Sequence, residues 1–265
     1  PIGEALFPSL ITFFLFQFTW REIWVGIGTC IIIIFLPLVY LLGRHLKSND
    51  HDSSNSGLTK SKKKLIDSWN RSQVLKDLRF YQVLPGLLAS PFIVTGVFFH
   101  QIHLIQTKSW SITLLASSYP FFALSVVGVT FGAGWIIDRF GTVHLLRFFL
   151  LPLAFGLLLI AGTDKAFAIP IFMILMGASA GSATIVISTL WVELYGINYL
   201  GSIRSMFFSM VVLATSISPA LMGLLLDIGV TLEIQFIIFA IYIFICSIVF
   251  AILTPNLLIA RSPPS

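Results

Sequence analysis

Apolar residues fall into eight long runs, roughly 3–19, 22–43, 80–102, 111–137, 145–162, 166–192, 203–226 and 232–255, with polar residues confined to the gaps. About twenty apolar residues are what an α-helix needs to cross a hydrocarbon core about 30 Å thick. Strands of a membrane barrel would instead show shorter segments of alternating polarity. The pattern predicts an all-α integral membrane protein, polytopic, with about eight transmembrane helices.

Composition agrees. The 265 residues are 57% hydrophobic and 10% charged, where soluble domains carry about 25% charged residues. The placement of charge matters more than the formal net charge of +5. If the polar segment 44–79 is cytosolic and the runs alternate from there, all lysines and arginines except Arg21, Lys108 and Lys165 fall on the cytosolic side. Such asymmetry sets orientation and makes the C-terminus cytosolic. The basic residues therefore read as a positive-inside signal and imply no nucleic-acid partner. Cys30 and Cys246 lie inside apolar runs, where a thiol acts as a small hydrophobe. The chain opens at Pro1 with no signal-peptide pattern and is expected to be a fragment that has lost its beginning.

Residues 44–79 divide the chain into 1–43, a basic cytosolic linker 44–79, and 80–265. Asn49–Ser61 is rich in Ser, Asn and Asp and reads as disordered. Lys62–Arg71 is expected to lie on the inner leaflet as a short amphipathic helix, with Trp69 at the interface.

Between the fourth and fifth runs stands Gly134-Trp-Ile-Ile-Asp138-Arg139-Phe-Gly141-Thr-Val-His144. Charge appears where the apolar run stops, and Gly141 permits a sharp turn. Gly134 lies one helical turn before Asp138, where a missing side chain lets another helix approach. The spacing Gly-x-x-x-Asp-Arg-x-Gly resembles the signature loop of the major facilitator superfamily of secondary transporters. That loop recurs between the second and third helices of each six-helix half. Thr142 and Val143 stand where the family usually has basic residues, a departure similar to the degenerate copy of the second half. Glu193-Leu-Tyr-Gly196-Ile-Asn-Tyr-Leu-Gly201-Ser-Ile-Arg204 resembles the Glu…Gly…Arg turn of bacterial members, and Pro1-Ile-Gly3-Glu4 resembles the start of a fifth helix. The resemblance implies helices five to twelve of a twelve-helix transporter: 1–43 closes the N-terminal half, and 80–265 forms the C-terminal six-helix half. The texture is similar to monocarboxylate and oxalate/formate carriers.

The resemblance also implies a gate. Gly134, Asp138, Arg139, Gly141, Glu193 and Arg204 gather at one side of the membrane, where pairing of the charges is expected to close the cytosolic face. The alternative is that they only mark turns. Within the spans, ionisable residues are functional candidates by default. His100 and His103 share one helix face and suit an anionic substrate or a proton, or simply an aromatic interface; two imidazoles alone make a poor metal site. Thr95, Tyr119 and Ser179 are candidate lining groups, with Gln101, Ser117, Ser118 and Ser182 beside them, although Ser and Thr often bond back to their own helix. The Gly177–Gly181 and Gly128–Gly132 spacings suit close helix packing. Pro120, Pro152, Pro170 and Pro219 are expected to break helix bonding and loosen the spans.

No catalytic order of residues, zinc motif or phosphate loop is present, so neither an enzyme nor a cofactor is expected. The implied function is secondary active transport by alternating access, as symporter or antiporter, in a bacterial inner membrane. The expected solute is a small organic anion such as a monocarboxylate, with a proton as coupling ion and the lipid bilayer as surroundings. Two alternatives stay open: efflux of amphipathic drug-like compounds, and a non-transporting receptor or assembly protein whose cavity is filled by some of the 25 phenylalanines.

Overall fold

The computed structural model describes residues 17–49 and 69–257, together with Ile11, Phe14 and Leu15. Most of the expected span 3–19, Glu4, the segment 50–68 and Arg261 lie outside the described residues. The chain divides into two compact units, residues 7–65 and residues 66–265 with 1–6.

In the first unit, α1 (Trp20–Asn49) is a long apolar helix with Pro37 inside it. Glu22 starts it by reaching back to the Thr19 backbone N–H at 2.8 Å and hydroxyl at 2.9 Å. This satisfies a donor that the first helical turn leaves unpaired.

The second unit contains α2 (Arg71–Lys76), α3 (Leu78–Thr107), α4 (Ile112–Phe140), α5 (Thr142–Leu146), α6 (Leu151–Gly162), α7 (Ala168–Tyr195), α8 (Leu200–Asp227) and α9 (Leu232–Leu257). Among the described residues there are seven spans long and apolar enough to cross a membrane, one in the first unit and six in the second. Six of these are single helices. The seventh, Thr142–Gly162, is α5 and α6 with turns at Arg147–Leu150 between them. The spans run back and forth, so the second unit has two ends. The motif end carries the Asp138 turn, and the far end carries the α3–α4, α6–α7 and α8–α9 connections.

Helix boundaries follow local chemistry. Asn70 and Gln73 form a capping box at α2, Asp77 caps α3 and Ser111 caps α4. Gly141 (φ +83°) stops α4 and Gly196 (φ +77°) stops α7, a conformation that costs glycine nothing. The prolines divide into two groups. Pro120 and Pro219 lie inside α4 and α8, as do Pro85 and Pro91 inside α3. Pro152 and Pro170 instead occupy the first turns of α6 and α7, where a missing N–H breaks no helical bond. Pro152 still follows the Arg147–Leu150 break in its span, so the loosening expected is absent at Pro170 alone.

Four helix pairs build the bundle: α4 with α7, α3 with α8, α6 with α9 and α6 with α7. The α4–α7 pair is the closest. A Cβ on Gly177 would stand 2.4 Å from the Phe122 carbonyl oxygen, and one on Gly181 would stand 2.5 Å from that of Val126. Ser125 donates across the seam to the Ile174 carbonyl at 2.7 Å. Gly96 is the corresponding point of α3 against α8, where Ser218 donates to the Phe92 carbonyl at 2.6 Å. Gly86 seats the ring of Phe250. An added Cβ at Gly128, Gly132 or Gly134 meets nothing within 4 Å, so within this unit those glycines face open space and pack no helix.

The last part of the expected linker belongs to this bundle. Trp69 is buried, with its backbone N–H on the Tyr195 carbonyl at 3.0 Å and its ring 5.5 Å from that of Tyr195. Its expected place at the lipid interface is thus corrected: an indole with aromatic partners at hand gains more from full burial than from the headgroup region.

Candidate functional site

The signature turn is anchored by α7. Gly141 ends α4 and Thr142 opens α5, leaving the Thr142 N–H and hydroxyl to be satisfied. Both donate to Glu193 Oε1, at 3.1 and 2.6 Å, and Thr189 Oγ1 stands 2.8 Å from the Thr142 hydroxyl. Glu193 therefore works as a side-chain cap, its negative charge placed at a helix start. Thr142, which departs from the family's basic pattern, makes this link with a hydroxyl and a backbone amide.

The remaining gate candidates stay apart. Asp138 is exposed, and among the described residues no ion pair includes it, Arg139, Glu193 or Arg204. Arg139 lies over the rings of Trp135 and Phe140, both at 5.8 Å. Arg204 reaches across to α7, where Nη2 donates to the Ser188 carbonyl and Nε is buried with no partner. The structure brings together Glu193 and the turn, but not the four charges.

A second charged cluster at the motif end escaped the sequence reading, which counted Arg79 among the solvated linker cations. Arg79 and Asp77 are both buried and paired at 2.9 Å, and Arg79 lies 5.4 Å from the Trp69 ring. The Trp69 ring meets Tyr195, which stacks on Trp191, and Trp191 in turn meets Phe80 and Phe207. The available signal was an Asp-x-Arg beside the start of an apolar run, since a charge there must be paired to be buried.

The candidates within the spans are spread along the bundle. His100 bonds through Nε2 to the Pro219 carbonyl at 3.0 Å, which binds α3 to α8. Tyr119 donates to Gln101 Oε1 at 2.7 Å, with Phe98 stacked at 6.0 Å. Gln101 also lines a cavity of about 20 Å³ with Val97, Phe98, Ile169 and Met173, which is room for a single water. Ser179 is buried with its hydroxyl unpartnered, and Thr95 is half-buried. His103 is exposed at the far end, on a separate cavity of about 190 Å³.

A row of hydroxyls on α8 was also missed. Ser202, Ser205, Ser209 and Ser216 are exposed and follow spacings of three, four and seven, so they share one face. Each donates to a carbonyl three or four residues back, which hides its donor but leaves the oxygen able to accept. Of the six spans in this unit, α8 is the least buried. The 3-4-7 spacing was visible in the sequence, but exposure distinguishes this row from other helical serines.

The bundle of paired spans, with a capped turn at one end and an uncovered hydroxyl row on one helix, is that of a polytopic membrane protein. The chain matches the Major Facilitator Superfamily over residues 1–210 and belongs to that family, whose members are secondary transporters. No curated relative matches the chain.

Proposed function

We propose that this chain carries a small organic anion by alternating access, with monocarboxylates as the first class to test and a proton as coupling ion. Residues 80–265 act as one half, 1–43 belong to the other, and 44–79 link them. Under the positive-inside rule the motif end is cytosolic, as is the C-terminus, and the membrane is a bacterial inner membrane.

The observation that carries this reading is the Ser202–Ser205–Ser209–Ser216 row on the least covered helix. A helix turned to lipid gains nothing from hydroxyls, whereas one lining a watered path presents acceptors and small residues. Arg204 stands beside the row's motif end on the α7 side, and among the described residues no carboxylate neutralises it. An uncompensated guanidinium suits a carboxylate substrate. Asp138 and Arg139 remain gating candidates in this reading, together with Glu193 and Arg204.

Phe208, exposed next to the row, favours the second reading, export of an amphipathic compound. Uptake of labelled monocarboxylates into proteoliposomes holding the full-length protein, with and without a pH gradient, separates the two. Saturable, gradient-sensitive uptake lost in Arg204→Gln supports the anion carrier. No saturable uptake of any monocarboxylate, with transport of an amphipathic dye that falls in Phe208→Ala, supports the exporter.

A further inference from the structure

The seam between α3 and α8 is crossed by two polar contacts in the far-end half of α8, and a proline belongs to one of them. Gly96 of α3 leaves room for Ser218 and Met222, and Ser218 donates to the Phe92 carbonyl at 2.6 Å. About two turns along α3 from Phe92, His100 reaches the Pro219 carbonyl through Nε2 at 3.0 Å. Its ring lies against Gly223, where an added Cβ would stand 3.7 Å from Cε1. Phe92, Gly96 and His100 are spaced by four, so they share the face that α3 turns to α8.

Pro219 is also where α8 is weakest. Having no N–H, it leaves the Thr215 carbonyl without the bond that a helix would supply, and of the six spans in this unit α8 is the least buried. A carbonyl can only accept, so His100 Nε2 carries a proton and donates across this break. A second proton, on Nδ1, makes the ring a cation and about doubles the strength of such a bond. Ser218 has no charge to change. His100 does: it is partly exposed, and imidazole is the side chain whose charge changes near neutral pH. The other titratable groups on the elements around this part of α3 are Asp227 of α8, Glu233, Tyr242 and Cys246 of α9, and Tyr119 of α4, with His103 one turn along α3 itself; α7 has none from Ala168 to Thr189. Tyr119 is bonded to Gln101, Tyr242 to the Pro85 carbonyl, and Glu233 faces Lys108. Among the described residues the Pro219 carbonyl is the one hydrogen-bond partner of His100.

We infer that His100 is a proton-operated latch on the proline break of α8. Protonated, it ties α3 to α8 across Pro219 and holds the break closed. Deprotonated, it keeps only a neutral bond, and the break opens more readily. The hydroxyl row and Arg204 all lie on the motif side of Pro219, so the set of the break decides how α8 presents them. His100 is thus a positioning residue that acts on the solute through α8. Its place in a transport cycle rests on the proton-coupled reading above, whereas the latch itself can be tested without a solute.

The test is backbone hydrogen exchange of the full-length protein in nanodiscs at about pH 5.5 and about pH 8, corrected for the chemical exchange rate, which reads local opening of a helix. Peptides covering residues 214–224 are expected to exchange about five-fold more slowly at the lower pH, the effect of strengthening one hydrogen bond by a charge. Peptides from the α4–α7 seam should show no such change. His100→Gln keeps a donor that cannot become a cation, so its α8 should be equally protected at both pH values, while His103→Gln should respond as the wild type does. Equal protection of the wild type at both pH values, a response that survives in His100→Gln, or one lost in His103→Gln overturns the inference. Uptake of labelled monocarboxylates separates it from the reading it rests on. A pH-dependent α8 without gradient-sensitive uptake in the wild type removes proton coupling and leaves the latch; gradient-sensitive uptake with a pH-independent α8 does the reverse.

Discussion

Thr142 gives both its backbone N–H and its hydroxyl to one oxygen of Glu193, across 51 positions of sequence. A single carboxylate thus fixes where the signature turn ends and the next helix begins. Glu193→Ala should lower stability by about 1–2 kcal/mol, because two donors lose their acceptor. Glu193→Gln keeps an oxygen in place and should lose less. Thermal melting of the purified protein in detergent compares them, and equal melting of Glu193→Ala and wild type would rule out the cap.

The glycines of α4 and α7 differ in what they permit. Gly177→Val must push against the Phe122 backbone, which has no flexible end to yield, and should cost about 1–3 kcal/mol or prevent folding. Gly134→Ala meets nothing within 4 Å and should melt as the wild type does. Monodispersity on size exclusion and melting temperature report both. If Gly134→Ala slows uptake while remaining as stable, that face is used during transport and not for packing within this unit.

Asp77 and Arg79 are each about 7% exposed at the side chain. Removing one partner strands a buried charge, so Asp77→Asn should destabilise by about 3–5 kcal/mol, whereas Asp77→Leu with Arg79→Met should recover much of the loss. A double-mutant comparison of melting or expression yield decides. Additive losses would mean that the two groups do not act as a pair.

Asp138 is exposed and makes no ion pair among the described residues. Asp138→Asn should therefore change stability by less than about 0.5 kcal/mol. On the gating reading it still slows turnover. Unchanged initial uptake at equal surface expression would remove the gate role from this residue.

How much of this was legible beforehand depended on the kind of signal. The spans from 80 to 255 could be read because burial in lipid demands long apolar runs, and the Asp138 turn because its charges interrupt one. Gly177 and Gly181 were read as packing from their spacing, and the α4–α7 contact agrees. Gly128 and Gly132 have the same spacing and no neighbour, since spacing places residues on one face without saying what that face meets. Glu193 was recognised as part of the site but expected among charges, when its partner is a threonine. A carboxylate's partner is set by which donor the fold leaves unsatisfied, and that is not written in the local sequence. Trp69 and Arg79 read as linker for a similar reason: residues that a polar segment contributes to a neighbouring core look local until the core is known.

The Gly177 and Gly181 contacts carry one more implication. Backbone pressed directly on backbone has no side-chain rotamers to absorb a displacement, so α4 and α7 are effectively welded. Motion applied to the capped turn at one end of α4 is passed along the pair as far as Pro120, as through a stiff lever. Any conformational cycle in this protein must then spare that seam and find its give elsewhere, at the prolines inside α3 and α8 and at the broken span between α5 and α6.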